Sequence, residues 1–213
     1  MALTGFDPQL VSTSIKNVVK AYNDLLTQMG DKMQSDFVNG MVDKWACKQA
    51  QTFFSTVFKP TVDQLIKGAN KTFRSVVDSM NSAANAWAQS TDSSYSPVAF
   101  TVRDVMMNTD DIRENIDGVR GIDLQLSKSV SEKLQTIKSE SKSALNNAKN
   151  AVEGCGFIGG NQEEFLLQSL ETIKQNIDSA ITTITDQSKK AIDDTITAYS
   201  DVEGKISQAF QGQ

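Results

Sequence analysis

The sequence predicts an all-α protein, an elongated four-helix bundle made of two tandem helical hairpins. Apolar residues recur at spacings of three and four in four long stretches, which is typical of amphipathic helices. Only three prolines occur in 213 residues, which leaves room for long helices. Apolar residues make up 39% of the chain and aromatic residues 7%. This composition suits helices that each add a narrow apolar stripe to a shared seam.

The four helical stretches differ in how clearly their sequences define them. They cover residues 11–37, 54–87, 126–152 and 165–210. Asp7 and Pro8 predict the start of the first helix, with Asp7 as the N-cap and Pro8 at the first helical position. Pro60 predicts a kink or local unwinding in the second, at a cost of ~3 kcal/mol if unrelieved. The third is polar and alanine-rich in its middle, and the fourth would be roughly 70 Å long.

The stretches group into two hairpins joined by a linker. Residues 1–97 form the first hairpin, 98–122 a linker with short helical turns, and 123–213 the second hairpin. Each hairpin alone would expose its apolar stripe, so we expect the two to pack together as one bundle. Because this pairing satisfies the chain's own interface, the protein is expected to be a monomer.

Charge and hydropathy exclude several classes of protein. The net charge is −5 and the sequence pI is about 4.8, without any cluster of Lys or Arg, so we expect no nucleic-acid partner. The apolar runs fall far short of the ~20 residues that a transmembrane helix needs. The first residues have neither a basic nor an apolar signal region, so we expect no conventional signal peptide.

The chain also lacks the residues that most catalytic sites use. It has no histidine, which removes Ser/His and Cys/His catalysis and His-ligated metals. Two cysteines are too few for a four-thiolate metal site. We therefore expect no metal, no cofactor and no enzymatic activity.

The two hairpin tips carry the first part of a family resemblance. Trp45-Ala46-Cys47 lies between the first two helices, and Phe157-Ile158-Gly159 lies between the last two. Each half therefore resembles the Trp-X-Gly family, the helical-hairpin substrates of type VII secretion. Cys47 replaces the family's glycine in the first tip, and Phe157 replaces its tryptophan in the second, where Gly159 is kept.

The last helix carries the second part of the resemblance. Tyr199, Glu203, Ile206 and Phe210 match the family's C-terminal export pattern of an aromatic, an acidic and two apolar residues at these intervals. The resemblance implies a fused pair of hairpins, exported to the medium or the cell envelope by the type VII secretion ATPase. It further implies action by protein–protein binding, as an effector, chaperone or partner of a co-secreted toxin or helical protein.

Other interpretations of these features remain open. Trp45 would also fit as a plug at one end of the bundle, and the four residues of the export pattern as an ordinary core stripe with one solvated glutamate. Two alternative functions are a helical membrane-active or pore-forming protein and an intracellular coiled-coil scaffold similar to granule-coating phasins.

Two packings of the hairpins are compatible with the sequence. In an up-down-up-down bundle both tips lie at one end, where Cys47 and Cys155 could form a disulfide once their Cα atoms come within ~7 Å. In antiparallel packing, as in the family's dimers, the tips lie at opposite ends and the linker spans the bundle. About 25 extended residues would reach ~80 Å, which is enough. We hypothesise the first arrangement, with the bridge.

Overall fold

A computed structural model gives the architecture and describes residues 5–158 and 162–211. This part of the chain is an all-α four-helix bundle with only four two-residue strands, which confirms the predicted fold class. The elements in order are β1 (Gly5–Phe6), α1 (Pro8–Leu26), the π-helix π1 (Thr27–Val38), α2 (Asn39–Met41), β2 (Trp45–Ala46), α3 (Lys48–Phe53), the π-helix π2 (Phe54–Phe58), α4 (Lys59–Ser90), β3 (Gly121–Ile122), α5 (Leu126–Val152), β4 (Phe157–Ile158) and α6 (Gln162–Gln211).

These elements join into four long helices, and the first of them begins where the sequence predicts. The first comprises α1, π1 and α2, the second α3, π2 and α4, and the third and fourth are α5 and α6. The Asp7 side chain accepts hydrogen bonds from the backbone N–H of Gln9 at 2.9 Å and Leu10 at 3.0 Å, and Pro8 is the first helical residue. Both predictions for this end are confirmed.

Pro60 is accommodated by a local change of helix type. The five residues of π2 end two positions before it, so the helix widens where proline would clash with a carbonyl of the preceding turn. The predicted local unwinding is confirmed in this form. The helix then continues without a break to Ser90.

The four helices form a ring in which each packs against two others. The first contacts the second and the third, and α6 contacts the second and the third. The middle of α5 buries the small side chains of Ser141, Ala144 and Ala148 beside the larger Leu145. The polar, alanine-rich middle of the third helix therefore has a buried face of small residues.

The two hairpins pack antiparallel, which contradicts the hypothesised up-down-up-down bundle. Phe6 of β1 pairs with Phe157 of β4, and Trp45 of β2 pairs with Ile122 of β3. The start of each half therefore meets the tip of the other half, and the two tips lie at opposite ends. The predicted Cys47–Cys155 disulfide is wrong for the same reason, since both cysteines are free and buried at these opposite ends.

The two strand pairs are related by an approximate two-fold symmetry. Asp7 donates its N–H to the carbonyl of Gly156 at 2.8 Å, and Asp123 donates to the carbonyl of Lys44 at 2.7 Å. Each acceptor directly precedes a tip strand. The carboxylate of Asp123 also accepts from the N–H of Gln125 at 2.9 Å, as Asp7 does from Gln9. Such a chain is an antiparallel pair of hairpins within one polypeptide.

The π-helix π1 reconciles two halves of unequal length. Trp45 follows Asp7 by 38 positions, whereas Phe157 follows Asp123 by 34. Both intervals must span the same distance, because both strand pairs close. A π-helix has hydrogen bonds from i to i+5 and therefore holds more residues per turn. The twelve residues of π1 therefore take up part of the four-residue difference.

The linker is an extended strap and not the predicted segment with short helical turns. Between Thr91 and Gln125, all of which the structure describes, the chain forms no helix. After Ser90 the chain returns along the bundle to β3, as antiparallel packing requires. We define the strap as residues 94–112, which lie against the first and second long helices.

Gly156 allows close packing at the second tip, and Gly156→Ala is expected to destabilise the protein. Its φ is +92°, and a Cβ there would lie 3.1 Å from the carbonyl oxygen of Asp7 and 3.1 Å from Leu10 Cβ. Gly154→Ala is the matched control, since φ is +67° there but the space is open. We expect Gly154→Ala to cost about 1–2 kcal/mol and Gly156→Ala clearly more, measured by urea unfolding. Equal losses would show that crowding at Gly156 is unimportant.

Candidate functional site

The Trp45 end of the bundle is closed by an aromatic cluster. Trp45 is only 1% exposed, and its ring lies 6.0 Å from that of Phe53 and 6.3 Å from that of Phe54. Phe58 and Phe37 continue the cluster into the core. Trp45 therefore plugs the end of the bundle and offers no free surface to a partner.

Tyr199 lies beside this tip, on the last part of α6. Its half-buried side chain is within electrostatic range of Cys47 and Arg120. Burial raises the pKa of Tyr199 above its ordinary value, the nearby Cys47 adds to the rise, and Arg120 opposes it. The hydroxyl is therefore protonated at neutral pH and can donate a hydrogen bond.

Beyond Tyr199 the apolar face of α6 emerges from the bundle. The last residue of α6 that is buried is Thr195, among those whose side chains are described. Val202 is 52% exposed and Ile206 is 49% exposed, and they lie one helical turn apart on the same face. The α6 helix is about 75 Å long and α5 is about 40 Å long. Because α6 is the longer partner of this hairpin, its C-terminal part extends past the first residue of α5. This exposed face is the candidate binding surface.

The remaining residues singled out from the sequence are only partly described. Glu203 and Phe210 lie on the helical backbone of α6, but their side chains are outside the described part of the chain. Gly159 lies outside the described residues altogether. Phe157 is half-buried in β4, at the end of the bundle opposite Tyr199. The structure thus brings Tyr199 and Cys47 together and leaves Phe157 far from both.

The cysteines occupy buried structural positions. Cys47 directly precedes α3 in extended backbone, and Cys155 is buried beside β4. Burial raises the pKa of the Cys155 thiol, and Glu163 adds to that rise. A thiol of raised pKa is a poor nucleophile and metal ligand. Among the described residues, no group of three or more His, Cys, Asp or Glu side chains is placed to hold a metal ion.

The strap contacts are a second set of interactions that the sequence interpretation missed. Asn81 makes two hydrogen bonds to the backbone of Val98, from its Nδ2 to the carbonyl and from the N–H to its Oδ1, both at 2.9 Å. Gln34 does the same with Asn108, at 2.8 Å each. Asp63 accepts from the N–H of Met107 at 2.8 Å.

Tyr22 and Asn70 hold the middle of the strap. The Tyr22 hydroxyl accepts from the N–H of Arg103 at 2.7 Å and donates to Asn70 Oδ1 at 2.9 Å, while Asn70 Nδ2 donates to the Arg103 carbonyl at 3.0 Å. Burial raises the pKa of Tyr22, partly offset by the Arg103 N–H, so the hydroxyl stays protonated and can make both bonds. The Tyr22 hydroxyl, the Asn70 amide and the Arg103 backbone each have a hydrogen-bond partner, so burying these polar groups costs little free energy.

The sequence contained signals for the equivalence of the two halves and for the extended strap, neither of which was predicted. Gly5-Phe6-Asp7-Pro8-Gln9-Leu10 and Gly121-Ile122-Asp123-Leu124-Gln125-Leu126 share four of six residues, which marks the equivalent starts of the two halves. In the strap, Val98, Phe100 and Val102 alternate with polar or small residues. Alternation with a period of two indicates extended chain.

The fold defines a class, the single-chain antiparallel pair of helical hairpins. Comparison of the chain with family models, curated proteins and solved structures finds no match. Within the described residues, no helix has the length and apolar character needed to cross a membrane.

Proposed function

We propose that this chain is a substrate of type VII secretion and that the secretion ATPase recognises the free end of α6. The observation that carries the proposal is the exposed apolar face of that end. Along the rest of α6 the apolar stripe is mostly buried, whereas Val202 and Ile206 are half exposed directly after Tyr199. An amphipathic helix with anchors at i, i+3 and i+7 is suited to a hydrophobic groove on a partner.

The antiparallel packing supports the same proposal. Each hairpin covers the apolar stripe of the other, so the chain needs no second copy to bury its core. A monomer of this kind can present one helix end while the rest of the molecule stays closed. After export to the medium or cell envelope, the protein acts by binding, as an effector or as partner of a toxin or another helical protein.

Export from a Gram-positive host with an active type VII pathway tests the proposal. The amount of protein in the culture supernatant is expected to fall about tenfold or more in Tyr199→Ala and in Glu203→Ala, since a central contact in such an interface typically contributes more than 1 kcal/mol. Asp201→Ala is the matched control, because it removes an exposed acidic residue two positions from Glu203.

The outcomes separate export from stability. The Asp201→Ala variant should be exported normally. The unfolding midpoint of each variant shows whether a fall in export comes with a loss of stability, and a fall at an unchanged midpoint supports recognition by the ATPase. Wild-type export in a strain without the secretion ATPase would contradict the proposal. Equal export of the Glu203→Ala and Asp201→Ala variants would contradict the role assigned to Glu203.

A further inference from the structure

The groove between the first and second long helices holds the strap in the manner of a bound peptide. We propose that this groove is a binding site for an extended peptide, and that the strap is its resident intramolecular ligand. A peptide could bind this groove whether or not the chain is exported by type VII secretion, because the groove and the end of α6 share no residue.

Most of the polar contacts to the strap are made with its backbone, and the Tyr95 hydroxyl and the Arg103 guanidinium add side-chain contacts to Asn81 and Asp31. Asn81, Gln34, Asp63, Asn70 and Tyr22 all bond to main-chain N–H or carbonyl groups of strap residues. The Lys59 ammonium also donates to a strap carbonyl, that of Met107. Side chains that pair with main-chain groups recognise extended conformation, which any peptide of suitable length can supply.

The spacing of these contacts matches a helix against an extended chain. Asn81 and Asn70 are eleven helical positions apart, or about 16.5 Å. Their strap partners Val98 and Arg103 are five positions apart, which is also about 16.5 Å in extended conformation. The spacing of Asn70 and Asn81 along α4 therefore matches the spacing of their partners along the extended strap, and a peptide held by both residues must also be extended.

Apolar pockets and one charge give the groove its side-chain preference. The Phe100 ring lies 4.8 Å from that of Tyr22, and Met107 is buried. Val105 packs over Gly30, where a Cβ would come within 2.9 Å of its Cγ1. Arg103 Nη2 donates to both carboxylate oxygens of Asp31, at 3.0 Å each. The favoured peptide therefore has an aromatic residue, then an arginine three positions later, then two apolar residues.

The strap is flanked by segments at which it could leave the groove without disturbing the helices. Asp92 and Ser93 before it, and Arg113 and Asp117 after it, are outside any helix. Asp92, Asp117 and Gly118 have positive φ and mark turns. In the second hairpin, no extended segment among the described residues lies along α5 and α6, and there Lys138 and Lys142 bond directly to Asp178. The peptide site is therefore a property of the first hairpin.

A fluorescent synthetic peptide of residues 94–112 tests the proposal on the full chain. In the intact protein the strap competes at high effective concentration, so the added peptide should bind weakly. Phe100→Ser with Met107→Ser weakens the strap and leaves the groove unchanged. Fluorescence anisotropy should then show peptide binding at least about tenfold tighter than in the wild-type chain.

Groove variants in that background identify the site. Adding Asn70→Ala and Asn81→Ala should lower peptide affinity about tenfold, whereas the control Asn85→Ala, one turn beyond Asn81, should leave it unchanged. A folded strap variant that does not bind the peptide would overturn the proposal. So would equal effects of the groove variants and the control.

A second design applies if the strap variant does not fold. Protease sites inserted after Ser93 and after Gly118 allow the strap to be cut free in the otherwise native chain. The labelled peptide should exchange with the cut strap while circular dichroism stays helical. Collapse of the helices on loss of the cut strap, or no exchange at all, would show that the strap is part of the core and would overturn the proposal.

Discussion

Trp45→Ala is expected to lower the free energy of unfolding by about 3–5 kcal/mol, the range typical of a large buried aromatic side chain. Trp45 is almost fully buried and contacts Phe53 and Phe54. Its backbone pairs with Ile122, so the cavity would open where the two halves meet. Chemical denaturation followed by circular dichroism measures the loss, with the midpoint shifted and the slope unchanged.

Two further variants separate packing from hydrogen bonding and from tryptophan content. Trp45 Nε1 has no hydrogen-bond partner among the described residues, so Trp45→Phe sacrifices volume but no bond and should cost clearly less than alanine. Trp87 is the only other tryptophan and is half-buried near the end of α4. A loss in Trp87→Ala as large as that in Trp45→Ala would contradict the assignment of Trp45 as the plug.

The sequence predicted what depends on neighbouring residues. The Asp7 cap, the Pro8 start and the apolar stripes are local patterns, and the structure confirms them. The effect of Pro60 also follows from local sterics, although the form it takes, the π-helix π2, does not. Such features can be predicted because their energetics are fixed within one or two helical turns.

What the sequence interpretation missed depends on contacts between distant residues. The pairing of Trp45 with Ile122 and of Phe6 with Phe157 joins segments that no local pattern connects. The choice between the two packings therefore stayed open, and the disulfide hypothesis failed with the wrong choice. The π-helix π1 follows from the need to close both strand pairs over unequal lengths. The export pattern stays a prediction, because the side chains of Glu203 and Phe210 are not described.

Polar residues on α4 look solvent-exposed when the sequence of that helix is considered without the strap that packs against it. Asn70, Asn81 and Asp63 interrupt or border the apolar stripe of α4, and from the sequence they are ordinary solvated positions. In the fold they supply the hydrogen bonds that an extended segment cannot make within itself. A linker predicted with helical turns hid this role, because helical turns would satisfy their own backbone groups.

Asp63→Ala is the second change for which we expect a large effect, a loss of about 2–4 kcal/mol in the free energy of unfolding. Asp63 is buried and accepts from the N–H of Met107, a residue that is only 1% exposed. Its other oxygen lies 3.3 Å from Lys59 Nζ. Alanine leaves a buried N–H without an acceptor and the ammonium without its carboxylate.

Limited trypsin digestion should show that the strap is the part released by this change. Cleavage after Arg103 is expected to be faster in Asp63→Ala than in Asp78→Ala, a matched control that removes an exposed acidic residue from the same helix. Asp63→Asn keeps an oxygen acceptor for the Met107 N–H and should lie between wild type and alanine in both measurements. If the strap were held mainly by Phe100, Val105 and Met107, all three variants would be cleaved at the wild-type rate. If cleavage is fastest in Asp63→Ala, slower in Asp63→Asn and slowest in wild type, the Asp63 carboxylate is the group that holds this end of the strap in the groove.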